Sequence, residues 1–241
     1  MKNSKPIEIS VVVPVYNEEG SLPVLIPKLA EVLKGLGHSS EMIFVDDGSS
    51  DGSRGILREM ASQYPFLRIL RFKENSGLSA ALVAGMRGAR GEKIVTLDSD
   101  LQNDPSDIPR LLEHLDRYDM ATGWRHKRED PWLKKISGKI ANRFRNRLTG
   151  EKIQDSACTL RAFKRECIQK VPVFNGMHRF LSTLVKMEGY RVIEVPVSHH
   201  PRRFGKSKYN IRNRMVRSFI DLLAVRWMKQ RALHYEIEER I

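Results

Sequence analysis

Two aspartates, Asp98 and Asp100, follow the apolar run Lys93-Ile94-Val95-Thr96-Leu97 with one serine, Ser99, between them. Carboxylates one residue apart at the mouth of a buried strand form a hard oxygen site suited to Mg²⁺ or Mn²⁺ carrying a diphosphate. Gln102 can add a neutral oxygen on the same side. A second pair, Asp46-Asp47, sits where a carboxylate can read the edge of a base or ribose, and Tyr16 offers a face for stacking. An isolated Asp-x-Asp is also common in loops that cap the next helix, so the pair acquires meaning from the elements around it.

Those elements repeat. Apolar runs at Ile9 to Val15, Met42 to Val45, Leu67 to Phe72 and Ile94 to Leu97 recur about every 25 to 30 residues. The segments between them read as helices: Leu22, Leu25, Ile26, Leu29 and Val32 follow a 3.6-residue period, as do Leu78, Leu82 and Met86. Strand, helix, strand in succession predicts an α/β chain with right-handed crossovers and a Rossmann-like, mainly parallel sheet flanked by helices. Ligands of such sheets bind at the carboxyl ends of the strands. The polar residues collect there, in Tyr16-Asn17-Glu18-Glu19, in Asp46 to Gly52, in Glu74-Asn75-Ser76-Gly77 and in the Asp98/Asp100 pair, so four acidic strand ends converge on one crevice.

After about residue 120 the pattern loosens. Trp132 to Leu148 reads as a basic amphipathic helix, Arg161 to Lys170 as a shorter helix and Tyr190 to Val197 as a strand. A polar loop, Ser198 to Tyr209, leads to a last helix from about Ile211 to Arg231.

Composition narrows the partners. The net charge of +13, from 42 basic against 29 acidic residues, is concentrated after residue 123 and asks for an anionic partner. A nucleic-acid-binding module would explain the charge but not four acidic strand ends, which repel a phosphate backbone. No apolar run approaches the roughly 20 residues of a membrane span, and no signal-peptide core precedes the first strand. The expectation is a cytoplasmic protein, peripheral at the cytosolic membrane face. Cys158 and Cys167 read as two reduced, structural thiols. His199-His200 lacks a third metal ligand, and His178 can touch substrate or serve in packing. No Gly-x-Gly-x-x-Gly or Walker-type Gly-Lys-Ser/Thr follows any strand, so a diphosphate must be held by metal and cations.

In order and spacing, Val12-Val13-Pro14-Val15-Tyr16-Asn17-Glu18, Val45-Asp46-Asp47-Gly48-Ser49-Ser50-Asp51, Asn75-Ser76-Gly77 and Leu97 to Gln102 resemble the signatures of family 2 glycosyltransferases. More narrowly the chain resembles the polyprenyl-phosphate sugar synthases. Gly123-Trp124-Arg125, Asp155-Ser156-Ala157-Cys158 with Leu160 to Phe163, and Arg202 to Lys208 extend the likeness through the second half.

The resemblance implies a GT-A fold, a nucleotide-diphosphate sugar donor (UDP- or GDP-linked), Mg²⁺ or Mn²⁺, and an inverting hexose transfer to a polyprenyl phosphate. Under it Pro14, Tyr16, Glu18, Asp46 and Asp47 match nucleoside positions, and Val45, Ser76 and Ser99 fall in the same donor-binding segments. Asp98, Asp100 and Gln102 match metal and diphosphate positions. Arg125, Arg202 and Lys208 match basic positions near the phosphates. Ala157-Cys158 stands where the family often has a glycine, and the membrane-spanning helices that commonly follow are missing from this sequence. The resemblance places the catalytic domain at 1–209.

Charge bears on the acceptor. A sugar hydroxyl needs a carboxylate general base, for which Asp155 is the candidate; a lipid phosphate is already ionised and needs cations instead, offered by Arg125, Arg128, Arg161, Arg202, Arg203, Lys206 and Lys208. Beside an anionic acceptor, Asp155 would orient an arginine or cap a helix. Residues 210–241 then form a basic amphipathic element, with Phe219, Leu222, Leu223 and Trp227 alongside arginines suiting an anionic membrane surface. The alternative is a helix packed on the domain with a solvated basic face.

Overall fold

The computed structural model describes residues 6–125, 142–204, 211–233 and 239, with the backbone alone for 211–216. Lys208 and the other residues expected at 126–141 and 205–210 lie outside this set.

Seven strands form one sheet in the order β3-β2-β1-β4-β6-β5-β7. β1 (Ile9–Val15), β2 (Ser40–Asp46), β3 (Leu67–Arg71) and β4 (Lys93–Thr96) run parallel. β6 (Arg161–Lys164) is antiparallel to both β4 and β5 (Met120–Arg125), and β7 (Val192–Val197) lies parallel to β5. β1 is central and buried along all seven residues, which is why its sequence is continuously apolar. Its side chains alternate between two cores: Val11, Val13 and Val15 face one, Val12 the other.

The first core is closed by α1 (Leu22–Gly35), α2 (Ser53–Gln63) and α4 (Ile108–Glu113). The second is closed by α3 (Leu78–Gly88), α6 (Glu166–Gln169), α7 (Leu181–Met187) and α8 (Ile211–Arg231); α5 comprises helical residues 142–149. α3 approaches β1 so closely that a Cβ on Gly85 would stand 2.3 Å from Val12 Cγ1.

The expected parallel strands and the last helix are present at the places the pattern gives. The expected helix over Arg161 to Lys170 is not. Arg161 to Lys164 is a strand, because its backbone pairs on both sides with β4 and β5, and only the single turn α6 follows. β5 carries little apolar periodicity, and the sequence pattern does not reveal it.

α8 divides its apolar residues between two faces. Leu222 and Val225 are buried in the second core, whereas Phe219, Ile220, Leu223 and Trp227 are exposed. Leu222 therefore leaves the group expected to face a membrane. Arg179 Nη2 donates to Asp221 Oδ2 at 2.5 Å, tying α8 to the turn Met177–Arg179. Phe144 of α5 stacks on Phe219 with 6.2 Å between ring centroids.

Candidate active site

The carboxyl ends of β1, β2 and β4 meet at one crevice, and each acidic residue there has a distinct task. Asp46 is fully buried; its Oδ1 accepts from the Ser49 N–H at 2.9 Å. Its Oδ2 has no hydrogen-bond partner but faces Arg71 Nε at 3.3 Å, because the parallel register sets Arg71 beside Asp46. These two residues, with Arg54, Leu57, Arg58 and Ile69, line a cleft of ≈ 150 Å³. Arg71 escapes a motif-based reading; the β2/β3 register reveals it.

Asp47 does not share this work. Its two oxygens accept from Asn75 Nδ2 at 2.9 Å, Ser76 N–H at 2.7 Å and Gly77 N–H at 2.9 Å, so it builds the 75–77 turn. Burial nevertheless pushes its pKa above the ordinary value, against the backbone donors. Ser76 contributes the main-chain N–H just described, while its hydroxyl donates to the Glu74 carbonyl. Gly48 makes the approach possible: its φ is +68°, and a Cβ there would lie 2.6 Å from the Glu74 carbonyl carbon.

Several expected donor contacts turn out to be internal. The Val45 side chain is wholly in the core. Ser99 Oγ donates to the Pro14 carbonyl at 2.9 Å, fastening the Asp98–Asp100 segment to β1. Glu18 Oε2 accepts from Ser21 Oγ at 2.9 Å, and its Oε1 accepts from Arg202. Glu18 thus anchors the segment 198–204, and Arg202 is fixed by that contact and by the Phe204 carbonyl. Tyr16 is partly exposed at the end of β1.

Asp98 and Asp100 stand together after β4. Leu101, bulky and 8% exposed, sits in the left-handed region at φ 63°, a strain that tertiary contacts sustain here. Burial, then repulsion from Asp100, holds the Asp98 carboxyl well above the usual carboxylate range, although the Thr159 hydroxyl and the charges of Arg161 and Arg125 oppose the shift. A pair of oxygen donors whose joint ionisation is disfavoured is what a hard divalent cation relieves, so the donor set fits Mg²⁺ or Mn²⁺. Gln102 enters mainly through its backbone: its N–H donates to Asp100 Oδ1 at 3.1 Å and its carbonyl accepts from the His200 N–H at 2.9 Å. Its side-chain amide lies 3.5 Å from the His200 carbonyl, on the side of the 198–204 segment.

Asp155 is clamped. Arg125 Nε donates to its Oδ2 at 2.6 Å and Arg125 Nη2 to its Oδ1 at 2.8 Å, in a two-pronged pair whose side chains are 13% and 5% exposed. The N–H groups of Arg125 and Ala157 add two bonds at 3.2 Å, and Glu194 of β7 accepts from the Gln154 and Asp155 N–H groups. Arg161, expected to face the acceptor, is 2% exposed, with its Nη2 donating to the Ser156 carbonyl and its Nε unpartnered. It acts on the site through charge, and burial lowers its pKa. Arg203 is exposed. Cys158 is buried, its thiol pushed up to about 12 by burial and by Asp155, which makes it inert. His178 Nδ1 pairs with Ser79 Oγ at 2.7 Å, and His200 reaches Asp104 at 3.3 Å.

Comparison with known proteins bears on the family and the fold. Residues 10–171 match the family model described as glycosyl transferase family 2. Over 225 residues the chain is 40% identical to the dodecaprenyl-phosphate galacturonate synthase of Rhizobium johnstonii, covering 91% of this chain and 66% of that protein's length. The chain thus spans just under two thirds of that relative. Among solved structures, glucosyl-3-phosphoglycerate synthase from Mycobacterium tuberculosis with Mn²⁺, UDP and phosphoglyceric acid superposes with a TM-score of 0.70 at 21% identity, over 91% of this chain and 78% of that one. The same enzyme with Mg²⁺ and UDP gives 0.70 at 20% identity, over 91% and 79%. At that identity the likeness speaks for the fold, which is GT-A.

Proposed function

Because the chain belongs to glycosyl transferase family 2, we propose that it is an inverting hexosyltransferase that moves a sugar from a UDP-linked donor to a polyprenyl phosphate. The observation that carries the acceptor half is the clamped state of Asp155. A hydroxyl acceptor requires a free carboxylate base, and the candidate base is committed to four N–H donors. A phosphate monoester is an anion already. Its oxygen attacks the anomeric carbon as the bond from that carbon to the diphosphate oxygen breaks. The electron pair leaves with the nucleoside diphosphate, and no proton changes hands. The 40%-identical relative is named for a polyprenyl phosphate and a galacturonate, which puts hexuronates beside hexoses as donor sugars.

Asp98 and Asp100 would hold the divalent cation, which supplies charge neutralisation for the departing diphosphate. The protein's own part begins with the base. Asp46 Oδ2 is buried against Arg71, so the side chain that a base can meet at these strand ends is the exposed Tyr16. Uridine is the proposed nucleoside, because the solved structures that share this fold are described with UDP. Arg161, buried near Asp98, supplies positive charge beside that carboxylate, while the charge of Arg125 is balanced by Asp155.

A lipid acceptor brings the chain to a bilayer. Phe219, Ile220, Leu223 and Trp227 on α8, with Phe144 stacked alongside and Arg217, Arg226 and Arg231 exposed on the same helix, suit an anionic membrane surface. Among the described residues no helix is long and apolar enough to cross a membrane. The division near residue 210 is on this reading a division of labour, with transfer in 1–209 and lipid contact in 210–241.

The test is incubation of the protein with Mn²⁺, polyprenyl phosphate and labelled UDP-hexoses, UDP-hexuronates and GDP-hexoses. A lipid-linked sugar formed from a UDP donor is the expected product. Labelling of a soluble saccharide without any lipid product overturns the acceptor assignment, and exclusive use of GDP donors overturns the base assignment.

A further inference from the structure

Glu194 lies in a strand where no motif marks it. It stands beside Thr122 in the parallel pairing of β7 with β5, three residues back from Arg125. Its carboxylate takes up a neighbouring loop: Oε1 accepts from the Gln154 N–H at 2.8 Å and from the Asp155 N–H at 3.0 Å, and Oε2 shares the Gln154 N–H at 2.9 Å. The loop needs such partners, because residues 151–157 form neither helix nor strand and buried or half-buried main-chain groups must be paired somewhere. On its other side α5 holds it. Asn146 Oδ1 accepts from the Ile153 N–H at 3.3 Å, Asn146 Nδ2 donates to the Ile153 carbonyl at 2.8 Å, and Asn142 Nδ2 donates to the Gln154 carbonyl at 2.9 Å. Side chains from one helix and one strand thus fix the backbone of 153–155, and Asp155 is the residue they deliver.

The sheet places this loop at the crevice. Thr96, Arg161 and Thr122 are level across β4, β6 and β5. Two antiparallel steps make β5 parallel to β4, so Asp98 and Arg125, two and three residues past that row, leave the sheet at the same edge, two strand spacings or ~10 Å apart. We propose that Glu194 is a positioning residue for the acceptor: by fixing the Asp155 backbone it holds that carboxylate square to the Arg125 guanidinium, and so sets the direction in which Arg125 meets the phosphate of the polyprenyl phosphate. The inference rests on the polyprenyl-phosphate reading of the site. Its physical content is geometric tolerance. A two-pronged pair needs both Asp155 oxygens in the plane of Arg125 Nε and Nη2, at 2.6 and 2.8 Å, and a turn of the 154–155 peptide swings them out of it. A guanidinium released from the pair keeps its charge and loses its direction, and arginine recognises phosphate by direction as well as by charge. Changing Glu194 therefore disturbs the pair without altering either of its members.

The experiment reads Arg125 twice. In isotope-labelled protein, solvent exchange of the Arg125 Nε–H resonance, assigned by its loss in Arg125→Lys, reports whether the pair is closed. In kinetics of lipid-linked sugar formation, KM for polyprenyl phosphate and KM for the donor are measured separately, with urea unfolding of every variant alongside. Glu194→Ala is expected to speed Nε–H exchange and to raise the acceptor KM by about tenfold each, with the donor KM within about twofold of wild type. Glu194→Gln keeps an oxygen at the Oε1 position for both N–H groups and is expected to stay within about threefold of wild type in both readouts. A role in folding alone would lower the unfolding midpoint and leave exchange and the ratio of the two KM values unchanged. Wild-type exchange in Glu194→Ala, or an acceptor KM that does not move, overturns the proposal. If Glu194→Ala does not fold, the same result in Glu194→Asp, whose carboxylate is one methylene short of the N–H groups, overturns it. A wild-type protein that makes no lipid-linked sugar removes the acceptor reading itself and this proposal with it, whereas lipid-linked sugar formed by Glu194→Ala at the wild-type acceptor KM removes only the positioning role.

Discussion

Replacing Asp155 with asparagine distinguishes a clamp from a general base, because only the clamp predicts a large loss of stability. Asp155 accepts from Arg125 Nε at 2.6 Å, from Arg125 Nη2 at 2.8 Å and from two main-chain N–H groups at 3.2 Å. With side-chain exposures of 13% and 5%, water screens the pair little. Asparagine keeps the shape, but its amino group confronts a guanidinium donor and its charge is gone. Breaking a buried pair from one side costs about 3–5 kcal/mol, since the remaining ion stays buried and uncompensated. For a chain of this length that corresponds to a fall in Tm of about 6–20 °C. Urea denaturation of Asp155→Asn gives the free energy directly, and lipid-linked sugar formation gives the turnover. Arg125→Met combined with Asp155→Leu leaves no unpaired charge and is expected to recover most of the stability but none of the activity. An unfolding free energy within about 1 kcal/mol of wild type for Asp155→Asn, together with lost turnover, would refute the clamp and restore the base; shifts that small are what sites without buried partners give.

Asp98→Asn removes one of two repelling carboxylates, so turnover with Mn²⁺ is expected to vanish while Tm stays level or rises; a large fall in Tm in calorimetry would contradict the crevice electrostatics. Glu41 is buried, and although burial raises its pKa, hydrogen bonds from Ser10, Arg68 and the Arg90 N–H together hold it below the ordinary value. A depressed carboxylate stabilises the fold above its unfolded pKa and loses that contribution as pH falls through the folded one. Glu41→Gln should therefore cost about 2 kcal/mol at pH 7, with the gap to wild type closing below the carboxylate range in parallel urea titrations. Gly48→Ala combines a φ of +68° with a 2.6 Å backbone clash and is expected to cost more than about 1–3 kcal/mol and to displace the 75–77 turn, read as a raised KM for the donor.

Much of the architecture is legible in local pattern. The continuous apolar runs of β1, β2 and β4 can only be strands covered on both faces, and the 3.6-residue spacing of Leu22, Leu25, Ile26 and Leu29 places α1 over one of them. The same logic fails at Arg161 to Lys164. Arg, Ala, Phe and Lys suit a helix as well as a strand, and only pairing with β4 and β5, more than thirty residues away in sequence, decides the matter.

Residue types and their order by themselves determined that acidic groups gather at the carboxyl ends of parallel strands, and that the chain's excess charge is positive. Which partner each of those groups meets was decided by tertiary structure alone. Asp46 and Asp47 are adjacent and chemically identical, yet the register of β2 against β3 gives one an arginine, and the fold of the 75–77 turn gives the other an amide and two main-chain N–H groups. Glu18 and Arg202, 184 residues apart, neutralise each other, as do Arg125 and Asp155. Hydrogen bonds and ion pairs act over about 3 Å in space, so a sequence shows which partners exist and the fold selects which of them meet.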